Sequence, residues 1–313
     1  EYAYSRGVHA AIPTYLDIKK DDFCKIETTV DGKTFVTARG WSDLSEMIKL
    51  YEEKGFPVTE QLVGQYLQNK KIAKSFAIYY DLFNKYKSDY QVDKILSGKA
   101  DGEITERAKK AGFDERLSLI GLLIDGIVEG VKESFRAESA LSELMNCLKT
   151  AKADYMTDSD FTASLERQTA EKQKEISVGK AASNISVDRE YTLHSVMEML
   201  SEEQRLIIEK SPKNAADAFK LLKADFDKRK KALSKTVSVN SNMLTNVFNF
   251  CEAAFSKGSQ EMLILVTELT ISTYASHFIS HYGCKEYFDN NKDMMFFERQ
   301  KQIIMEIEDL NLE

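Results

Sequence analysis

The chain has 313 residues and a formal charge of −7, with 43% hydrophobic and 30% charged residues, the balance of a globular protein with a buried core rather than of a disordered tail. No run reaches the roughly eighteen apolar residues that a spanning helix needs, because the most apolar stretches, 117–131 and 262–279, are interrupted by Asp125, Glu129 and Glu268. We therefore expect no membrane insertion, and the spread acidic charge argues against a dedicated nucleic-acid binder.

Four cysteines (Cys24, Cys147, Cys251 and Cys284) lie far apart with no Cys-x-x-Cys spacing, a pattern that points to reduced, mostly buried thiols and a cytoplasmic location. Only Pro13, Pro57 and Pro212 are present, so long uninterrupted helices are permitted nearly everywhere. The sequence opens at Glu1 with neither an initiator methionine nor a signal peptide. That start raises the expectation of a fragment or a processed form of a longer chain.

Taken in order, residues 2–16 show helical spacing (Tyr4, Val8, Ala11, Ile12, Tyr15), with Pro13 as a disturbance near the end. The period then changes. Residues 23–28 and 33–37 are short and rich in Thr, Phe, Val and Ile, and they flank Val30, Asp31 and Gly32. An Asp-Gly step there is a hairpin signal, because Gly accepts the positive φ of the turn, and a hairpin over about 22–37 is expected. Ser42 or Asp43 is the expected cap of a helix carrying Leu44, Met47, Ile48 and Tyr51, closed by Gly55; Thr59 caps the next. Residues 72–90 follow with a stripe of Phe76, Tyr79, Tyr80, Phe83, Tyr86 and Tyr90. At helical spacing such a stripe reads as core or interface packing in preference to base stacking.

Ser97–Gly102 (SGKADG) is the clearest linker, and a domain boundary is expected there, between 1–98 and 103–313. Beyond it 113–155, 160–176, 188–210, 214–235, 241–256, 260–281 and 292–310 all have helical patterns. The first would reach roughly 60 Å at about 1.5 Å per residue, so a break is expected near Gly126 or Gly130. Residues 160–184 are polar and weakly amphipathic, the segment we expect to move most. The fold class is therefore all-α, a multi-helix bundle with one short β-hairpin near the N-terminus. Whether 103–313 forms one bundle or two sub-bundles is left open by the pattern.

Chemical motifs are sparse. The phosphate loop G-x-x-x-x-G-K-[ST] is absent, its nearest imitations being Gly98-Lys99 and Gly179-Lys180. His277, His281 and Cys284 form His-x-x-x-His-x-x-Cys, whose spacing puts three metal-ligating side chains on one helical face. No fourth ligand is evident and Gly283 interrupts, so a metal-dependent site is the weaker reading beside an ordinary helix end. Lys228-Arg229-Lys230-Lys231 adjoins Asp225 and Asp227 and reads as a solvated face. The most specific stretch is Phe35 to Ser45 (FVTARGWSDLS), with the only tryptophan, Trp41, and with Arg39 at the mouth of a helix directly after the hairpin. Backbone N–H groups at a helix start favour an anion, and a guanidinium can grip a phosphate bidentately. Local pairing with Asp43 or Glu46 is the alternative.

Around these residues the chain resembles a known family. EYAYSRGVHAAIPTYL, the hairpin, TARGWSDLS, YEEKGFPVTEQLVGQYL and FAIYYDLFNKY, within residues 1–98, are similar to the lid subdomain of MoxR-type AAA+ ATPases. The branch concerned is accompanied by a separate protein with a von Willebrand A-type domain. The resemblance implies that Arg39 is a sensor-2 residue reaching the γ-phosphate of ATP, with Mg, held by a core subdomain. Trp41, Asp43 and Leu44 match the motif in packing or capping positions. It further implies ring contacts with neighbouring subunits and a chaperone-like remodelling function. The Walker A and B elements, sensor 1 and arginine finger of such an ATPase have no counterpart in this sequence, so the chain alone is expected to be inactive, with its core upstream. A stand-alone helical scaffold or adaptor without nucleotide chemistry is the competing expectation.

Overall fold

A computed structural model describes residues 8–29, 32–158 and 161–292. Among them the chain is all-α apart from one antiparallel hairpin, β1 (Lys25–Thr29) and β2 (Gly32–Val36), in the register Ile26 to Phe35 and Lys25 to Val36. The strands match the expected period change; the turn residues Val30 and Asp31 lie outside the described residues. The helices are α1 (Ala11–Ile18), α2 (Ala38–Lys54), α3 (Glu60–Tyr66), α4 (Lys70–Asp89), α5 (Val92–Leu96), α6 (Gly102–Lys110) and α7 (Phe113–Asp158). There follow α8 (Phe161–Ala181), α9 (Val187–Lys210), α10 (Ala215–Phe255), α11 (Gln260–Ile271) and α12 (Thr273–Tyr282), and residues 285–292 are helical again.

The chain forms two compact units, Glu1–Glu129 with Ser241–Glu313, and Gly130–Asn240. The units thus differ from the expected 1–98 and 103–313, and the SGKADG segment lies inside the first of them. It is a turn between two helices. Gly98 takes φ 71° after α5, and Asp101 caps α6 by accepting from the Ile104 N–H at 3.0 Å. Asn246 Nδ2 ties the turn to α10 by donating to the Leu96 carbonyl at 3.0 Å.

Several expected boundaries shift for identifiable reasons. Pro13 sits in the first turn of α1 and not near its C-terminal end. A proline is tolerated there because its missing N–H would have no intrahelical acceptor. α7 runs unbroken through Gly126 and Gly130. A Cβ on Gly121 would lie 2.2 Å from Thr14 Cγ2, and one on Gly126 would lie 2.5 Å from Leu96 Cδ1. These glycines serve close packing of α1 and α5, not helix termination. The expected helices at 214–235 and 241–256 are one, α10. The expected 260–281 helix is two, α11 and α12, bent by 89°; Ser272 ends the first and caps the second by accepting from Ala275 N–H at 3.3 Å. Most of the expected helix at 292–310 lies outside the described residues.

The core of the first unit joins α1 (Ile12, Tyr15), β2 (Val36), α2 (Trp41, Leu44, Ile48), α4 (Phe76, Tyr80, Phe83), α7 (Leu119, Ile120, Leu123, Ile124, Ile127) and α10 (Val247, Phe248, Cys251), all buried. The α4 aromatic stripe is thus packing, as its spacing suggested. The second unit is built on Ala140, Leu144, Cys147, Leu148 and Ala151 of α7, Leu165 of α8, Val196, Leu200 and Ile207 of α9, and Ala218 and Leu222 of α10. Among the described residues, no single helix is long and apolar enough to cross a membrane.

Candidate functional site

α2 begins earlier than expected, which changes the setting of Arg39. Thr37, in extended conformation (φ −137°, ψ 159°), is the N-cap, and its Oγ1 accepts from the Gly40 N–H at 3.1 Å. Ser42 and Asp43 therefore sit inside the helix, and Arg39 occupies its first turn. Gly55, at φ 69°, closes it as expected.

The start of α2 is held by three kinds of contact. Trp41, 2% exposed, packs its ring against Tyr15 and Phe76 at centroid distances of 5.8 and 5.3 Å. Its Nε1–H points at two backbone carbonyls before β1, Asp22 O at 3.3 Å and Phe23 O at 3.1 Å. Gly40 allows a close approach, since a Cβ there would lie 2.7 Å from the Tyr66 carbonyl oxygen at the end of α3. The hairpin is fixed to the same frame: Gln68 N–H donates to Phe35 O at 3.1 Å, and Asn69, the α4 cap, donates from Nδ2 to Glu27 Oε2 at 2.8 Å. Further along α2, Ser45 accepts from the His9 backbone N–H at 2.8 Å, while Glu52 receives the Tyr80 hydroxyl at 2.7 Å and the His9 ring at 3.1 Å. Burial alone would raise the Glu52 carboxyl, but hydrogen bonding to His9, its charge and the Tyr80 hydroxyl hold it below the ordinary carboxylate range.

On this frame the Arg39 side chain is 90% exposed, and its Nε lies 3.6 Å from Asp43 Oδ2 one turn on. An exposed pair at that separation is worth little, so moving the guanidinium to another anion costs little. A guanidinium carries five N–H donors in a planar fork and no acceptor. Such a group can neutralise and orient an anion such as a phosphate oxygen.

The other candidates are placed differently. His277 and His281 stack at 4.0 Å on α12, with His281 Nδ1 3.0 Å from the His277 carbonyl oxygen. α12 ends at Tyr282, and Gly283 takes φ 78° before Cys284, whose Sγ lies 3.7 Å from Glu286 Oε2. Burial pushes that thiol up to about 11. Among the described residues no group of three His, Cys, Asp or Glu side chains is arranged to hold a metal ion. In the basic run, Arg229 is paired with Asp225 and Glu202 at 2.6 and 2.8 Å, and Lys228, Lys230 and Lys231 are exposed.

Two features escaped the sequence reading. The indole bond of Trp41 to the chain before β1 depends on contacts made from 18 and 19 residues away, which no local pattern signals. The other is Glu203, a carboxylate that helical spacing does place on the buried stripe of α9, between Leu200 and Ile207. No protein-family model, no curated protein and no solved structure matches this chain.

Proposed function

We propose that residues 1–98 act as the sensor-2 lid of a MoxR-type AAA+ ATPase, with Arg39 reaching the γ-phosphate of an ATP whose phosphate cradle and Mg ligands come from a core outside these 313 residues. The observation that carries this reading is the setting of Arg39. A nearly fully exposed guanidinium projects from the first turn of a helix whose start is pinned by Trp41, Gly40 and Thr37. A charge that must meet a phosphate arriving from another body needs both properties, freedom at its tip and rigidity at its base. The donor set fits a phosphate oxygen and not a metal. ATP, when bound, supplies the phosphoryl group; this chain's part is to hold a positive charge where negative charge gathers, one contribution among the several that phosphoryl transfer requires.

In this reading residues 103–313 relay lid motion or dock a partner, a von Willebrand A-type domain protein being the expected class, and neighbouring subunits of a cytoplasmic ring complete the assembly. The test is ATP turnover by the natural polypeptide that carries this chain. Arg39→Ala is expected to lower kcat at least about tenfold, as loss of a transition-state charge contact does, while the 313-residue chain alone hydrolyses nothing. Unchanged turnover in the variant, or turnover by the isolated chain that Arg39→Ala abolishes, defeats the assignment. A helical scaffold without nucleotide chemistry is the competing reading, favoured by the existing Arg39–Asp43 pair, and it expects Arg39→Ala to be silent in every assay.

A further inference from the structure

The second unit contains a carboxyl group whose position has no ordinary structural account. Glu203, in the middle of α9, is 1% exposed, and neither of its side-chain oxygens has a hydrogen-bond partner among the described residues. It stands where an apolar residue would continue the stripe Val196, Leu200, Ile207, all of which belong to the unit's core. A buried carboxylate without a donor is among the costliest arrangements in a protein interior.

The cation beside it is engaged elsewhere. Arg229 of α10 directs Nε to Asp225 Oδ2 at 2.6 Å and a terminal nitrogen to Glu202 Oε2 at 2.8 Å. What faces Glu203 from α10 is the charge of Asp225, together with Arg229; from its own helix the neighbouring charge is Glu202. α7 brings to this core Cys147, and Lys152 lies 4.6 Å from the centroid of the Phe219 ring. α8 contributes Leu165. Two deprotonated carboxylates cannot hydrogen-bond to each other. A carboxylic acid and a carboxylate can, the acid donating its O–H and the carboxylate accepting.

We propose that Glu203 is a buried proton-binding site: it is folded as the neutral acid, donates its proton to Asp225, and so locks α9 to α10, with Arg229 holding Asp225 as the acceptor. Withdrawing that proton leaves a buried carboxylate facing the half-buried carboxylate of Asp225, with one guanidinium already shared, and the lock is lost. No bond other than the O–H changes, and the proton passes to solvent as the segment opens. Burial first and the charge of Asp225 next raise the Glu203 carboxyl to about 8, against the pull of Arg229.

The sign follows from linkage. A carboxyl raised on folding keeps its proton in the folded unit while the unfolded chain gives it up, so stability falls as pH rises from the unfolded value of 4.5 toward 8 and levels off above. The unfolding constant of α9 and α10, read by hydrogen exchange of their amides in urea, is expected to rise by about tenfold per pH unit in that window, on the order of a thousand-fold in all. Glu203→Gln, which mimics the neutral acid, is expected to be flat. Parallel pH dependence in the wild type and E203Q overturns the proposal. Infrared spectra of the whole chain decide the matter even where the variant does not fold. A carboxylic-acid C=O band present at pH 7, lost in Glu203→Gln and shifted in frequency in Asp225→Asn supports the shared proton, and absence of that band in the wild type at pH 7 overturns it.

Discussion

Truncating Trp41 to alanine removes the peg on which the start of α2 hangs. The ring is 2% exposed and touches Tyr15 and Phe76, and its N–H reaches the carbonyls of Asp22 and Phe23. Truncation of a buried tryptophan costs about 3–5 kcal/mol when the surroundings cannot collapse into the space, and neighbours drawn from α1, α2 and α4 cannot all move at once. Within that total, each aromatic contact contributes about 1 kcal/mol and the indole hydrogen bond about 1 kcal/mol. Trp41→Phe keeps a ring and loses the donor, so its expected cost is about 1–2 kcal/mol. Urea unfolding followed by far-UV circular dichroism reads both variants. Trp41 is the sole tryptophan, so wild-type fluorescence reports the first unit separately and identifies which transition the variants have moved. A cost below about 1 kcal/mol for Trp41→Ala would refute the anchoring role, since that is less than any one of the contacts assigned to it. Equal costs for the two variants would place the whole effect on the N–H and refute the packing share.

In the second unit, Asn240→Ala removes two bonds, Nδ2 to Gly130 O at 2.7 Å and to Ser134 Oγ at 2.8 Å, and strands a fully buried serine. A loss of about 2–3 kcal/mol is expected in the exchange-detected unfolding of α10. Glu143 of α7 meets Lys172 of α8 and Arg189 of α9. Burial alone would raise its carboxyl, and the bonds from Lys172 and then Arg189 bring it below the ordinary range. Its contribution is therefore present above the unfolded value of 4.5 and fades as pH falls through the lowered folded value, the opposite of Glu203. Glu143→Gln is expected to cost about 2 kcal/mol near pH 7 and progressively less below pH 4. An equal cost at both pH values contradicts the assignment.

Much of the architecture could be read from residue order because it rests on local physics. The 3.6-residue spacing of Leu44, Ile48 and Tyr51, the change of period across β1 and β2, the αL glycine Gly55 and the cap Thr59 each act over a few residues, and each holds. The errors lie where a local signal has a distant partner. Gly126 looks like a helix breaker until Leu96 is found pressed against it. Ser97–Gly102 looks like a domain linker until Asn246 of α10 is found bonded to Leu96 at its start.

The same division runs through the site. Composition and pattern alone settled that the chain is helical with one hairpin and that an arginine stands at the entrance of α2, because propensity, periodicity and turn chemistry are properties of short segments. Tertiary structure decided that Arg39 is exposed on a fixed base and that Glu203 is buried facing the charge of Asp225. Exposure, anchoring and the pairing of charges depend on which distant segments pack together, and that is set by the whole core rather than by any window of sequence.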